Sequence, residues 1–189
     1  MARIALPARF DGRLFRSHTE AKWAVFLKHL DIKYDYEEQG FATDGVGYLP
    51  DFYIFTACGT VWVEVKGSWE ADPEGIAKWR SFAAQRPNPA VTRAALLVGA
   101  PCMAASYLVI GGDEASDDPL KGPWEDEHQW RPCPSGYHFD LAYAETFRTK
   151  FAEDGCPDEF GRGGDERIAN AVEAALSFRF GRPVDETAA

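Results

Sequence analysis

The hydrophobic positions near the start of the chain follow the period of a helix. Large apolar residues from Trp23 to Leu30 recur three and four positions apart, on one side of a helix. Ser17 is followed by Glu20 at the spacing of a capping box, in which a serine and a glutamate satisfy free amides at a helix start. The pattern therefore predicts a helix over residues 17–30.

Beyond this helix the period of hydrophobic residues shortens to that of strands, and glycines and prolines mark the connections. The predicted elements are, in order, a strand at 34–38, a mobile glycine-rich connection at 40–47, strands at 48–55 and 60–66, a helix at 73–86, and short strands at 94–98 and 107–110. A helix, three strands, a helix and a strand in this order predict an α/β domain with a central mixed sheet flanked by helices.

The second half of the chain changes in composition. Residues 111–164 are rich in Asp, Glu, Gly and Pro with interspersed aromatic residues, which indicates a packed but irregular acidic elaboration. Apolar residues at helical spacing return over 165–180 and predict a terminal helix. We therefore divide the chain into a core at 1–110, an irregular insertion at 111–164 and a C-terminal helix and tail at 165–189, within one globular unit.

Composition narrows the class of protein. The 189 residues are 46% hydrophobic, enough to bury a core, and no apolar run approaches the roughly 20 residues of a membrane helix. The first residues lack the apolar segment of a secretory signal, so we expect a cytoplasmic protein without a membrane partner. The four cysteines form no closely spaced pair, which disfavours structural zinc and indicates thiols in a reducing compartment.

Charge is distributed unevenly along the chain. The net charge of −10 argues against nucleic acid as a partner, but residues 1–90 carry 11 Lys and Arg against 12 Asp and Glu, whereas residues 91–189 carry 9 against 18. The first 28 residues have a net charge of +4. A phosphate-facing patch and ordinary surface charge explain this excess equally well. The candidate contacts to DNA phosphates are Arg13, Arg16, Lys22 and Lys78.

One predicted strand carries the residues that suggest chemistry. In the strand 60–66, a period of two places Glu64 and Lys66 on one face with a tryptophan, and three valines on the other. If residues 56–59 form the hairpin loop, partner numbers sum to 115 and Asp51 faces Glu64, with Cβ atoms roughly 5 Å apart. A loop one residue longer would instead send the two carboxylates to different faces.

Two facing carboxylates repel each other unless a positive charge compensates them. Mg²⁺ or Mn²⁺ is a natural compensator, because these ions take oxygen ligands such as Asp51 and Glu64 and leave other positions to water and phosphate. Lys66, about 6–7 Å further along the strand, can orient a water or help to deprotonate it. These parts match the hydrolysis of a phosphodiester bond with a divalent-metal cofactor.

A short signature extends this interpretation to a family. The sequence Leu49-Pro50-Asp51, followed by Val63-Glu64-Val65-Lys66, resembles the Pro-Asp and Glu-X-Lys signature of PD-(D/E)XK nucleases. Glu20 on the preceding helix belongs to the same resemblance, which covers about residues 13–100. The resemblance implies a restriction-endonuclease-like core.

The resemblance also implies a role for each residue of the signature. The metal ligands would be Asp51, Glu64 and the backbone carbonyl of Val65, and the catalytic lysine would be Lys66. Glu20 would support the metal or the attacking water. Its place in the capping box leaves a second interpretation open, in which Glu20 only satisfies the helix end.

We therefore predict a metal-dependent nuclease of DNA, and we expect a prokaryotic or phage origin. Two alternatives remain open. One is a catalytically silent DNA-binding or interaction module on the same fold. The other is the DNA-cleaving subunit of a larger transposition or restriction complex, whose acidic half would bind a protein partner. The terminal helix at 165–180 suits either a homodimer contact or simple docking on the core.

Overall fold

The described part of the chain combines one large sheet with helices on both of its faces. The structure is a computed structural model that describes residues 6–43, 45–56, 59–70, 72–89, 92–102, 106–111, 124–129, 132–133, 136–137 and 161–180. Its helices are α1 (His18–His29), α2 (Pro73–Ala84) and α3 (Gly161–Ser177). Its strands are β1 (Ala8–Phe10), β2 (Arg13–Phe15), β3 (Tyr34–Tyr36), β4 (Phe41–Thr43), β5 (Val46–Tyr48), β6 (Phe52–Thr56), β7 (Gly59–Lys66), β8 (Thr92–Val98), β9 (Ser106–Gly111), β10 (Trp124–Gln129), β11 (Pro132–Cys133) and β12 (Gly136–Tyr137).

The large sheet has six strands in the order β10-β9-β8-β7-β6-β3. Strands β7 and β8 are parallel, and α2 forms the crossover between them, whereas the other neighbouring strands are antiparallel. The pairs β1–β2, β4–β5 and β11–β12 form separate two-stranded sheets. The predicted α/β class with a mixed sheet is therefore confirmed.

Helix α1 begins where the capping pattern placed it. Ser17 is the N-cap, and its hydroxyl accepts a hydrogen bond from the Glu20 amide at 3.1 Å. The helix ends at His29 with Leu30 as its C-cap, and Trp23, Phe26 and Leu27 are buried along its apolar side. The predicted helix over 17–30 is therefore confirmed. It could be predicted because both its cap and its apolar stripe depend on local sequence.

The two faces of β7 bury different sets of residues. Val61, Val63 and Val65 lie in a core shared with α1 and α3. On the opposite face, Trp62 packs against Phe82 of α2, with ring centroids 6.1 Å apart. The predicted period of two is confirmed, and each face of the sheet has its own helical cover.

Several elements differ from their predicted form. The connection at 40–47 contains the hairpin β4–β5, and the single strand predicted at 48–55 is interrupted between β5 and β6, where Pro50 has no amide for a ladder. Part of the segment 111–164, which was predicted to be irregular, forms β10 of the large sheet. Helix α3 begins four residues before the predicted Asp165. The predictions for two of the four cysteines, Cys58 and Cys156, and for most of 111–164 lie outside the described residues.

Among the described residues, no helix has both the length and the apolar character needed to cross a membrane.

Removing a buried side chain from the core beneath β8 tests this packing. Leu97 is 1% exposed in the core shared with α1, so Leu97→Ala leaves a cavity and should lower the free energy of unfolding by about 2–5 kcal/mol. The matched control is Leu14→Ala, because Leu14 is 48% exposed and should change stability by no more than about 0.5 kcal/mol. Urea denaturation measures both. Equal effects would contradict the assignment of Leu97 to the core.

Candidate active site

The register of the β6–β7 hairpin brings the signature residues together. Phe52 pairs with Val63 and Phe55 pairs with Thr60, so that partner numbers sum to 115. The predicted register is therefore confirmed. Asp51 directly precedes β6, and continuing the register places it beside Glu64.

Three carboxylates are buried at this end of the sheet. Asp51 is 2% exposed, Glu64 6% and Glu20 7%. Burial raises the pKa of Asp51 well above its usual value, and the charges of Glu64 and Glu20 raise it further. Glu64 and Glu20 therefore act electrostatically on Asp51. The three carboxylates come from β7, from α1 and from the residue directly before β6.

Asp51 is held by one cation and one backbone amide. A guanidinium nitrogen of Arg16 donates to its Oδ1 at 2.6 Å, and the amide of Val65 donates to its Oδ2 at 2.7 Å. Strand β6 begins opposite Val63, so the Asp51 side chain satisfies an amide that lies beyond the paired part of β6. The carboxylate thus extends the hairpin by one hydrogen bond where the strand has ended.

Glu64 and Lys66 form the second half of the site. The Lys66 ammonium lies 2.8 Å from Oε1 of Glu64 and 2.9 Å from Oδ2 of Asp72. Burial lowers the pKa of Lys66, but these two carboxylates outweigh it and the pKa is raised overall. The Tyr48 hydroxyl donates to Oε2 of Glu64 at 2.7 Å, and burial together with the Glu64 charge raises the pKa of Tyr48.

Glu20 has a local and a wider role. Its carboxylate accepts from the Ser17 hydroxyl at 2.7 Å, from the Arg16 amide at 3.1 Å and from the Tyr36 hydroxyl at 2.5 Å. The Arg16 amide takes the place of the Ser17 amide that a standard capping box would use. Glu20 therefore caps α1, and it also joins α1 to β3 and raises the pKa of Asp51.

Three further residues of the site were not identified from the sequence. They are Tyr36, Tyr48 and Asp72. Asp72 had a local signal, because it precedes Pro73 at a helix start; it caps α2 by accepting from the Gly75 amide at 2.8 Å. The hydrogen bond from Lys66 lowers the pKa of Asp72, and the Gly75 amide adds to that effect. The tyrosines had no signal that depends on neighbouring sequence.

The candidate DNA-binding residues are distributed over several elements. Arg16 lies within the site, whereas Arg13 pairs with Asp35 at 3.7 Å on the adjoining hairpin. Lys22 lies half-buried on α1, and Lys78 is exposed on α2, where its charge contributes to the lowered pKa of Asp72. The structure therefore brings Arg16 to the carboxylates and leaves the other three on the surrounding helices and hairpin.

The donor set fits a divalent cation of the Mg²⁺ type. A carboxylate has about four lone-pair sites, two on each oxygen. Each oxygen of Asp51 and Glu64 accepts one of the hydrogen bonds or ion pairs described above, so each has a second lone pair for a cation. Such an ion commonly binds one or two carboxylates. In the part of the chain that the structure describes, no three His, Cys, Asp or Glu side chains form a group that could hold a metal ion.

Comparison with known proteins gave no match. No family model, no curated protein and no solved structure matches this chain. What the site does must therefore be inferred from its own residues and their geometry.

The raised pKa of Asp51, to which the charge of Glu64 contributes, predicts how stability depends on pH. Folding keeps a proton on Asp51 at pH values where an unfolded aspartate, with a pKa of about 3.9, has lost it. The folded state then binds more protons than the unfolded state, so the free energy of unfolding of the metal-free protein should fall as pH rises above that value. Glu64→Gln removes one cause of the raised pKa, so the decline should end at a lower pH and its total should be smaller.

Chemical denaturation in EDTA at a series of pH values measures this dependence. Glu38→Gln is the matched control, because Glu38 is exposed and is not among the groups that shift the pKa of Asp51. A wild-type decline that Glu64→Gln leaves unchanged would show that Glu64 does not act on Asp51.

Proposed function

We propose that this protein is a divalent-metal-dependent nuclease that hydrolyses phosphodiester bonds of DNA. The observation that carries the proposal is the cluster of Glu20, Asp51 and Glu64, buried together beside the ammonium of Lys66. Buried carboxylates that repel one another need a cation to compensate them. Metal-dependent hydrolysis of a phosphodiester uses such carboxylates to hold the cation. Ion pairs on an ordinary surface would not require three carboxylates to be withdrawn from water.

The order of the elements supports a restriction-endonuclease-like core as part of this proposal. Helix α1 carries Glu20, Asp51 directly precedes β6, and β7 carries Glu64 and Lys66, as the resemblance to PD-(D/E)XK nucleases requires. After β7 the chain continues through α2 to β8, which pairs with β7 in parallel. The hairpin β4–β5 is an insertion between β3 and β6.

In this proposal Asp51, Glu64 and the Val65 carbonyl would hold Mg²⁺ or Mn²⁺, and Glu20 would support the metal or the attacking water. When bound, the cation would polarise a phosphoryl oxygen as a Lewis acid. The raised pKa of Asp51 supports this assignment. The pKa is raised because the ionised carboxylate is disfavoured, and a bound cation would stabilise that ionised form.

Lys66 serves as a cation in this proposal. Its raised pKa keeps the side chain protonated near neutral pH, so it can donate to a water or to a phosphate oxygen but has no lone pair with which to accept a proton. Its ion pairs with Glu64 and Asp72 fix the ammonium at the end of β7. There it would orient the attacking water and stabilise the charge that develops on the phosphate.

Phosphate binding by the surrounding surface completes the proposal. Arg13, Lys22 and Lys78 are candidate contacts to the DNA backbone, since they lie on β2, α1 and α2, three elements that flank or adjoin the site. The charge excess near the N-terminus supports a negatively charged substrate on this side.

Cleavage of linear, circular and single-stranded DNA tests the proposal. Wild-type protein should cut with Mg²⁺ or Mn²⁺ and not with EDTA. Asp51→Asn and Lys66→Met should each reduce the rate by at least about 100-fold, since the first weakens the metal site and the second removes the cation that stabilises charge on the phosphate. Lys33→Met is the matched control, because Lys33 is an exposed lysine on the connection before β3.

Two results would contradict the proposal. Cleavage that persists in EDTA would exclude a required metal. The second result has two parts: the protein cuts no DNA, and calorimetry finds no Mn²⁺ binding that depends on Asp51, as judged by comparison with Asp51→Asn. This result would reject the metal site and favour the interaction module.

A further inference from the structure

Arg16 occupies an unusual position between the buried carboxylates and solvent. Its Nη2 donates to Asp51 at 2.6 Å, and its Nε lies 2.6 Å from Oε1 of Glu37. The Arg16 side chain is 55% exposed, whereas that of Asp51 is 2% exposed. The backbone amide of Arg16 is fixed separately, by Glu20 and by the Tyr36 hydroxyl. The guanidinium can therefore move without loss of the local backbone structure.

Among the described residues, Arg16 is the side-chain cation that pairs with Asp51. The ammonium of Lys66 is engaged by Glu64 and Asp72 instead. The negative charge of Asp51 is disfavoured by burial and by two neighbouring carboxylates, so the guanidinium stands where compensation is needed. A guanidinium does not lose its proton at physiological pH, so Arg16 stays positively charged beside Asp51 across that range.

We infer that Arg16 is the resident counter-ion of Asp51 in the metal-free protein and that a divalent cation must displace it in order to bind there. This inference rests on the proposed metal site. Both ions need the same carboxylate, and two positive charges close together on Asp51 repel each other. Glu37 retains the displaced guanidinium, because it already pairs with the Nε of Arg16. At a given pH, the concentration of the cation then sets which ion occupies Asp51.

Mn²⁺ titration by calorimetry tests the exchange without any assay of activity. Arg16→Gln removes the competing charge, so Mn²⁺ should bind about tenfold more tightly than to wild type, the factor expected when one charge-assisted hydrogen bond no longer has to be broken. In EDTA the same variant should melt at a lower temperature than wild type, and Mn²⁺ should restore its melting temperature by more than it raises that of wild type.

Arg13→Gln is the matched control for these two measurements. Arg13 belongs to the same part of the chain, is 45% exposed and pairs with Asp35 rather than with Asp51. Its substitution should leave Mn²⁺ affinity within about twofold of wild type, as for a weak surface ion pair. A tenfold gain in Arg13→Gln as well would show a general charge effect and overturn the inference.

The remaining outcomes separate this inference from the proposed function. Mn²⁺ binding to wild type with no gain in Arg16→Gln would overturn the exchange and leave the metal site standing. Absence of Mn²⁺ binding in both proteins would overturn the metal site and the exchange together. If Arg16→Gln does not fold, Arg16→Lys replaces it, because an ammonium cannot span Asp51 and Glu37 as the guanidinium does. Arg16→Lys should gain at least about threefold in affinity, and no gain would overturn the exchange.

Discussion

Carboxylates lose hydration when they are buried, and they repel one another when they are buried together. Glu20, Asp51 and Glu64 experience both effects, and the local structure around them is arranged to offset this cost. Cations, hydroxyls and a backbone amide are supplied by separate segments of the chain. They come from Arg16, Tyr36, Tyr48, Val65 and Lys66. The charges of the site therefore hold together elements that are distant in sequence.

Strand β7 carries both the core and the chemistry. Its valines pack under α1 and α3, while Glu64 and Lys66 emerge from the other face at its end. Hydrogen bonds from other parts of the chain hold that end of β7. The Gly99 amide donates to the Lys66 carbonyl at 2.7 Å, and the Gly99 carbonyl accepts from the Trp23 indole at 2.8 Å. Gly99 has a φ of +81°, a backbone conformation that would be strained in a residue with a side chain. Side chains mounted on a rigid strand keep their spacing more closely than side chains on a loop.

The sequence predicted the parts of this arrangement that depend on local periodicity. The helix over 17–30 follows from its cap and apolar stripe, and the 115 register follows from the spacing of two strands around a short loop. The tyrosine contacts were not predictable in this way, since Tyr36 and Tyr48 meet their carboxylates only after the sheet and hairpin have formed. The β4–β5 hairpin was missed because its glycines read as a connection.

The hydrogen bond between Asp51 and the Val65 amide links the charge of the site to the backbone of the central sheet. This amide lies past the residues of β7 that pair with β6, so a carboxylate rather than a neighbouring strand shields it. Any event that draws the carboxylate away would expose this one N–H to exchange with deuterium in the solvent. The rate of exchange of the Val65 amide is therefore a reporter, at a single position of the chain, of whether the Asp51 carboxylate stays in place.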